Sequence, residues 1–194
     1  MSPVAIVYDL EDTDGKKIPK YFDEAYKVSG EMAEAKWDNT LKYCIEVDNF
    51  KIIYNEKSFL NCACVSRRWG DQYIIEINKS FEDVRLKYSL LAHEIAHVYC
   101  GHLGADEKDP KKRRWDNSAH LTRDQREVEA ETVAYLVCSR CGIETKAIEY
   151  VAGYLKNPEE DLSRISVKVI LDVARDIENI SKDRPKETGR LLNN

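Results

Sequence analysis

His93, Glu94 and His97 stand in the order His-Glu-x-x-His, residue types that together can hold a metal and move a proton. At 3.6 residues per turn, two histidines so spaced lie about one turn apart and ~40° around the axis, so both imidazoles reach one ion from one side. Glu94 adjoins the first histidine, where its carboxylate reaches a water on the metal rather than the metal itself. Zinc draws the pKa of its water down to about 7, and a carboxylate takes the proton as hydroxide attacks a carbonyl. The pattern therefore predicts Zn2+ on His93 and His97, with Glu94 as catalytic general base.

The surroundings favour this chemistry over a chance match. Two of the chain's four histidines fall in the motif, and Leu91, Ala92, Ile95, Ala96 and Val98 around it are apolar, as a buried helix requires. Gly101 stands where a helix takes a left-handed C-terminal residue, so the helix can stop just past the pair. A catalytic zinc wants three protein ligands plus water, and this helix supplies two. A metzincin arrangement would need Gly at 100 and His at 103, but the chain has Cys100 and Leu103. His102 reaches the metal only if the helix breaks at Gly101, and His120 falls in a long charged stretch. A glutamate from a second helix is the remaining common solution. Glu129 is favoured because it precedes the small Ala130, which lets two helices approach. Glu127 and Glu131 stay open; they share a face at i, i+4 while Glu129 projects elsewhere, so only one set can look at the metal.

Several elements must position these groups. Residues 4–8 could form a first strand, and apolar residues Phe22, Tyr26, Ala33 and Trp37 predict a helix near 20–38, with residues 41–47 undecided. Apolar runs at 50–54, 61–65 and 72–77 predict three short strands in an antiparallel meander, with 67–71 as a turn. Ser80 can cap the motif helix, which then runs to Tyr99. Thr122 and Gln125 have capping-box spacing and start a second helix, which closes at Cys138-x-x-Cys141 and Gly142. A short helix over 147–155 follows, and Leu162, Ile165, Val169, Val173, Ile177 and Ile180 form one stripe over 161–180. The expected class is α+β: a small antiparallel sheet of about three strands packed on a helical core with an active-site helix and several C-terminal helices. Residues 1–181 read as one domain (1–48 a helical lead-in, 49–79 the sheet, 80–181 the helical part with the zinc site), and 182–194 as a flexible tail.

The chain has 194 residues, 43% hydrophobic and 34% charged, with net charge -5, which suits one core and gives no overall basic character for nucleic acid. Residues 1–9 lack a basic region and a long apolar run, so neither a signal peptide nor a membrane span is expected. The expected location is cytoplasmic, with the six cysteines reduced and structural, Cys62-x-Cys64 and Cys138-x-x-Cys141 included. The basic run 111–114 beside Trp115 is the one local feature suited to a phosphate backbone and a base.

Tyr-Ile-Ile-Glu-Ile-Asn at 73–78, Ser80, and Leu-Lys-Tyr-Ser-Leu-Leu-Ala-His-Glu-Ile-Ala-His at 86–97 resemble the ImmA/IrrE group of gluzincin-like metallopeptidases. Arg-Glu-Val-Glu-Ala-Glu-Thr-Val-Ala-Tyr-Leu-Val-Cys at 126–138 and Tyr-Val-Ala-Gly-Tyr-Leu at 150–155 look closer to the C-terminal peptidase domain of ArdC-type antirestriction proteins. The resemblance implies a zincin-like core and a zinc metallopeptidase from a bacterium, phage or mobile element. It places the third metal ligand on the Glu-Ala helix, which fits Glu129. The partner it implies is a protein or peptide substrate, such as a repressor or other regulatory protein. The alternative is a zinc-containing antirestriction or DNA- or protein-binding module without turnover. In an edge strand near 73–77, the peptidase would add an extended peptide to its sheet. Tyr99, His102 and Tyr135 are candidates for stabilising an oxyanion.

Overall fold

The structure, a computed structural model, describes residues 27–55, 64–69, 72–104 and 120–182. Along these run β1 (Ser29–Gly30), α1 (Ala35–Glu46), β2 (Lys51–Asn55), β3 (Cys64–Trp69), β4 (Gln72–Asn78) and α2 (Val84–Tyr99). The second half holds α3 (Arg123–Arg140), β5 (Ile143–Glu144), α4 (Ala147–Tyr154), α5 (Pro158–Arg164) and α6 (Val167–Ile180). The fold is mixed α+β. No helix among the described residues is long and apolar enough to cross a membrane. The expected strand at 4–8, Cys62, the basic run 111–114 with Trp115, and the tail beyond 182 lie outside the described residues.

The sheet is mixed rather than an antiparallel meander. Its order is β2-β4-β3, with β4 parallel to β2 and antiparallel to β3. β3 and β4 form a hairpin in which Trp69 pairs with Gln72, so much of the expected turn at 67–71 is strand. The physical reason lies in β4, where Tyr73, Ile74, Ile75 and Ile77 are all buried. A strand covered on both faces reads as a near-continuous apolar run and belongs in the middle of a sheet. β2 exposes Lys51 and Tyr54 and takes an edge. Residues 73–77 are therefore not an edge open to a peptide; among the described residues the edges belong to β2 and β3.

Of the helix expected over 20–38, residues 20–26 lie outside the described residues and 27–34 are not helical; a helix starts at Ala35 and continues through the undecided 41–47 to Glu46. Ser29 and Gly30 instead pair antiparallel with Glu144 and Ile143. Gly30 has φ 89°, and a Cβ there would lie 1.9 Å from the carbonyl oxygen of Gly142. Only glycine fits that approach. Gly30→Ala is expected to cost about 1–2 kcal/mol from the left-handed backbone alone, with the clash in addition. A lowered urea midpoint at unchanged m-value would register it.

The single helix expected over 161–180 is two. α5 ends at Arg164, Ile165 and Ser166 are extended, and the Ser166 hydroxyl caps α6 by accepting from Val169 N–H at 3.3 Å. The apolar stripe survives in α6, where Ile170, Val173, Ile177 and Ile180 are buried, while Leu162 of α5 is exposed. α2 packs on β3 and β4, on α3 and on α6, and α3 in turn packs on α4 and α6.

Candidate metal centre

The motif helix starts at Asp83, whose carboxylate accepts from Arg85 N–H at 2.8 Å. Ser80, the expected cap, is occupied elsewhere: its N–H and hydroxyl both donate to Asn78 Oδ1, at 2.9 and 2.7 Å. Leu91, Ala92, Ile95, Ala96 and Val98 are buried, which fixes the rotation of α2 and so the direction of His93 and His97. At its C-terminus Gly101 takes φ 78°, its N–H donates to Val98 O at 3.0 Å, and His102 N–H donates to His97 O at 2.9 Å. This pair of bonds is a Schellman motif, and it folds His102 back against the turn that carries His97.

α3 begins with the expected capping box. Gln125 N–H donates to the Thr122 hydroxyl at 3.2 Å, and Thr122 N–H donates to Gln125 Oε1 at 3.0 Å. The Gln125 side-chain amide also donates to Asp161 Oδ1 at 2.9 Å, tying the start of α3 to α5. Val128, Ala130, Val133, Ala134 and Val137 are buried. The small residues Ala92 and Ala96 on α2 and Ala130 and Ala134 on α3 all belong to the core and let the helices lie close.

That packing brings Glu127 to the histidine pair. His93 Nε2 and His97 Nε2 are 3.1 Å apart, and Glu127 Oε2 is 3.5 Å from the first and 3.3 Å from the second. Zinc bonds of about 2.0–2.1 Å at the tetrahedral angle set ligand atoms about 3.3–3.4 Å apart. The triangle of two nitrogens and one oxygen fits one face of such a site. The side chains of His93, His97 and Glu127 retain 20%, 12% and 21% of their exposure, so the triangle opens to solvent on one side. That opening is what a catalytic zinc needs for its fourth position.

Glu129, the favoured third ligand, is not beside the pair. It is 2% exposed, its Oε2 lies 2.9 Å from His102 Nε2, and its Oε1 accepts from Ser166 N–H at 3.2 Å. The i, i+4 rule explains the difference: Glu127 and Glu131 share the face that looks at α2's histidines, and Glu129 is turned away from it. Glu131 Oε2 comes within 2.7 Å of His93 Nδ1. Two clusters of metal-ligating atoms thus exist among the described residues: His93, His97 and Glu127, half-buried, and Cys100, His102 and Glu129, buried.

The charges agree with a cation site. Burial alone would push His93 down, but Glu127, Glu131 and Glu94 outweigh it and hold the imidazole well above its ordinary pKa. Burial would likewise raise Glu127, yet His93 and His97 hold its carboxyl far below the usual range. A positive charge is strongly favoured between these carboxylates. For His102 burial is the largest influence and lowers its pKa, with Glu129 opposing in part.

Glu94 is buried on α2 and contributes to the field at His93. The oxyanion candidates separate. Tyr99 is buried with its hydroxyl on Asp48, and His102 lies behind the pair against His97. Tyr135, half-buried, follows Glu131 by one turn and shares its face. Tyr154 of α4 went unnoticed in the sequence. Burial raises its pKa most, and Glu127 and Glu131 add to the rise, so its phenol lies in reach of their field. The signal for it was the Tyr-Val-Ala-Gly-Tyr-Leu stretch itself. His120 is exposed. Cys44, Cys100, Cys138 and Cys141 are buried, and burial pushes the Cys138 thiol up to about 12, which suits packing rather than redox work.

The fold and site define a mixed α+β protein with side chains able to coordinate a metal ion. Among known proteins, no family model, no curated protein and no solved structure matches the chain.

Proposed function

We propose that the protein is a zinc-dependent metallopeptidase of the ImmA/IrrE kind, from a bacterium, phage or mobile element. It works in the cytoplasm and cuts a peptide bond in a protein partner such as a repressor. The observation that carries the reading is the convergence of His93, His97 and Glu127 on one point, with Glu94 next to His93 in the chain. In this reading Glu127, rather than Glu129, is the third metal ligand. Zinc held there would polarise the substrate carbonyl and lower the pKa of water to about 7.

The chain's own residues do the rest. Glu94 accepts the proton of the attacking water and returns it to the leaving amine. Glu131 stands 2.7 Å from the far nitrogen of His93 and orients that ring. Tyr154 lies in the field of Glu127 and Glu131, and Tyr135 follows Glu131 by one turn; both are candidates to stabilise an oxyanion. A peptide added to the sheet would lie along β3, an edge strand among the described residues and packed against α2.

The test is zinc content and cleavage of a mixed peptide library, before and after treatment with phenanthroline. Stoichiometric zinc is expected, with cleavage that disappears on chelation and returns with added zinc. Bound zinc with no cleavage of any peptide would refute the peptidase reading and leave a metal-binding protein.

A further inference from the structure

The three glutamates at 127, 129 and 131 lie on one helix, yet no two of them meet the same nitrogen. Glu127 faces Nε2 of both motif histidines, and Glu131 faces Nδ1 of His93. His97 Nδ1 has neither; it lies 2.8 Å from His102 Nδ1. His102 Nε2 in turn lies 2.9 Å from Glu129 Oε2. The His102 and Glu129 side chains are 1% and 2% exposed, so water does not compete for these contacts.

We infer that Glu129 and His102 form a buried hydrogen-bond relay that fixes the tautomer of His97 and aims its Nε2 lone pair at the metal position. The inference rests on the metal site proposed above. Proton counting gives the direction. An ionised carboxylate only accepts, so His102 Nε2 must carry the hydrogen that lies between it and Glu129. A neutral His102 then has a bare Nδ1, which accepts from His97 Nδ1–H. His97 with hydrogen on Nδ1 has its free lone pair on Nε2, the atom facing His93 and Glu127. Reversing any link would put hydrogen on the ligand atom.

The relay is anchored at both ends. Gly101 folds His102 back through the Schellman turn, and Arg126 Nη1 donates to His102 O at 3.3 Å. Ser166 N–H, in the break between α5 and α6, holds the second oxygen of Glu129 at 3.2 Å. A carboxylate at this helix N-terminus also meets the positive end of the α6 dipole. The Cys100–His102–Glu129 cluster then has an explanation without a second ion: its nitrogen and oxygen are already bonded to each other.

Glu129→Gln is the sharp test because it keeps shape and volume. Its amide can donate to His102 Nε2, which turns the relay round and blocks the lone pair of His97. Zinc affinity, read by chelator competition, is expected to fall about 10–100-fold, as for other outer-shell partners. The melting temperature of the metal-free protein reports whether the variant folds. Nitrogen-15 NMR of the zinc-loaded wild type gives a second readout, with hydrogen expected on Nδ1 of His97 and on Nε2 of His102. Hydrogen found on His102 Nδ1 would overturn the relay. Unchanged affinity in Glu129→Gln would do the same while leaving the metal site standing. A second zinc equivalent lost with Glu129→Gln would overturn it too, in favour of a second metal site. A wild type that takes up no zinc would remove the site and the relay together.

Discussion

Glu94→Gln is expected to leave zinc content unchanged and to lower peptide cleavage by roughly 10²–10⁴-fold, the usual worth of a positioned general base. The substitution changes no volume, and Glu94 is buried on a helix whose neighbours Leu91, Ile95 and Val98 fix its rotation. An amide there fills the same space and accepts no proton. The candidate metal triangle is made of His93, His97 and Glu127, and Glu94 is not among its ligands. Metal analysis and initial rates on the same preparation separate the two functions. Cleavage that survives the change would mean that another group takes the proton, and the proposed roles would have to be reassigned.

Glu127→Ala is expected to remove zinc, with a loss of affinity larger than the roughly 10–100-fold typical of an outer-shell partner. Glu127 supplies the only carboxylate oxygen found near both Nε2 atoms among the described residues, at 3.5 and 3.3 Å. Without it, two imidazoles on one helix face must hold the ion from a single side. The effect has a counterpart in the metal-free protein. Glu127 and Glu131 hold His93 well above its ordinary pKa, so the variant should bring that imidazole down, visible as a shifted NMR titration. Zinc retained at wild-type affinity would show that another side chain closes the site.

What the sequence made legible was local and periodic. His93 and His97 are four apart on a helix with an unambiguous apolar face, so their common direction follows from spacing alone. The Thr122–Gln125 capping box was equally readable, since both partners lie within one turn. What escaped was set by contacts across the chain. Glu129 was favoured for its neighbour Ala130, but the helix turns by ~100° per residue, and packing chose the face of Glu127 and Glu131. β4 lies in the middle of the described sheet, a place set by partners far away in the chain, although the apolar run of Tyr73, Ile74, Ile75 and Ile77 has the pattern of a central strand. The break at Ser166 is hidden by an apolar stripe that continues in phase on either side.

The proposed ligands come from α2 and α3, and the chain between them runs from 98 to 126. An ion gripped by both helices closes that stretch into a ring, as a covalent cross-link would. By the chain-entropy argument a ring of this size removes about 3–4 kcal/mol of freedom from an unfolded chain that keeps the link. An unfolded chain that releases the ion gains nothing, so mass action governs instead: each tenfold rise in free zinc above the dissociation constant adds about 1.4 kcal/mol to the folded state. Metal supply would then set how much of this protein persists as well as how fast it works. Under zinc starvation, the same vacancy that stops the chemistry would loosen the clasp between the two halves of the fold and expose the chain to proteolysis.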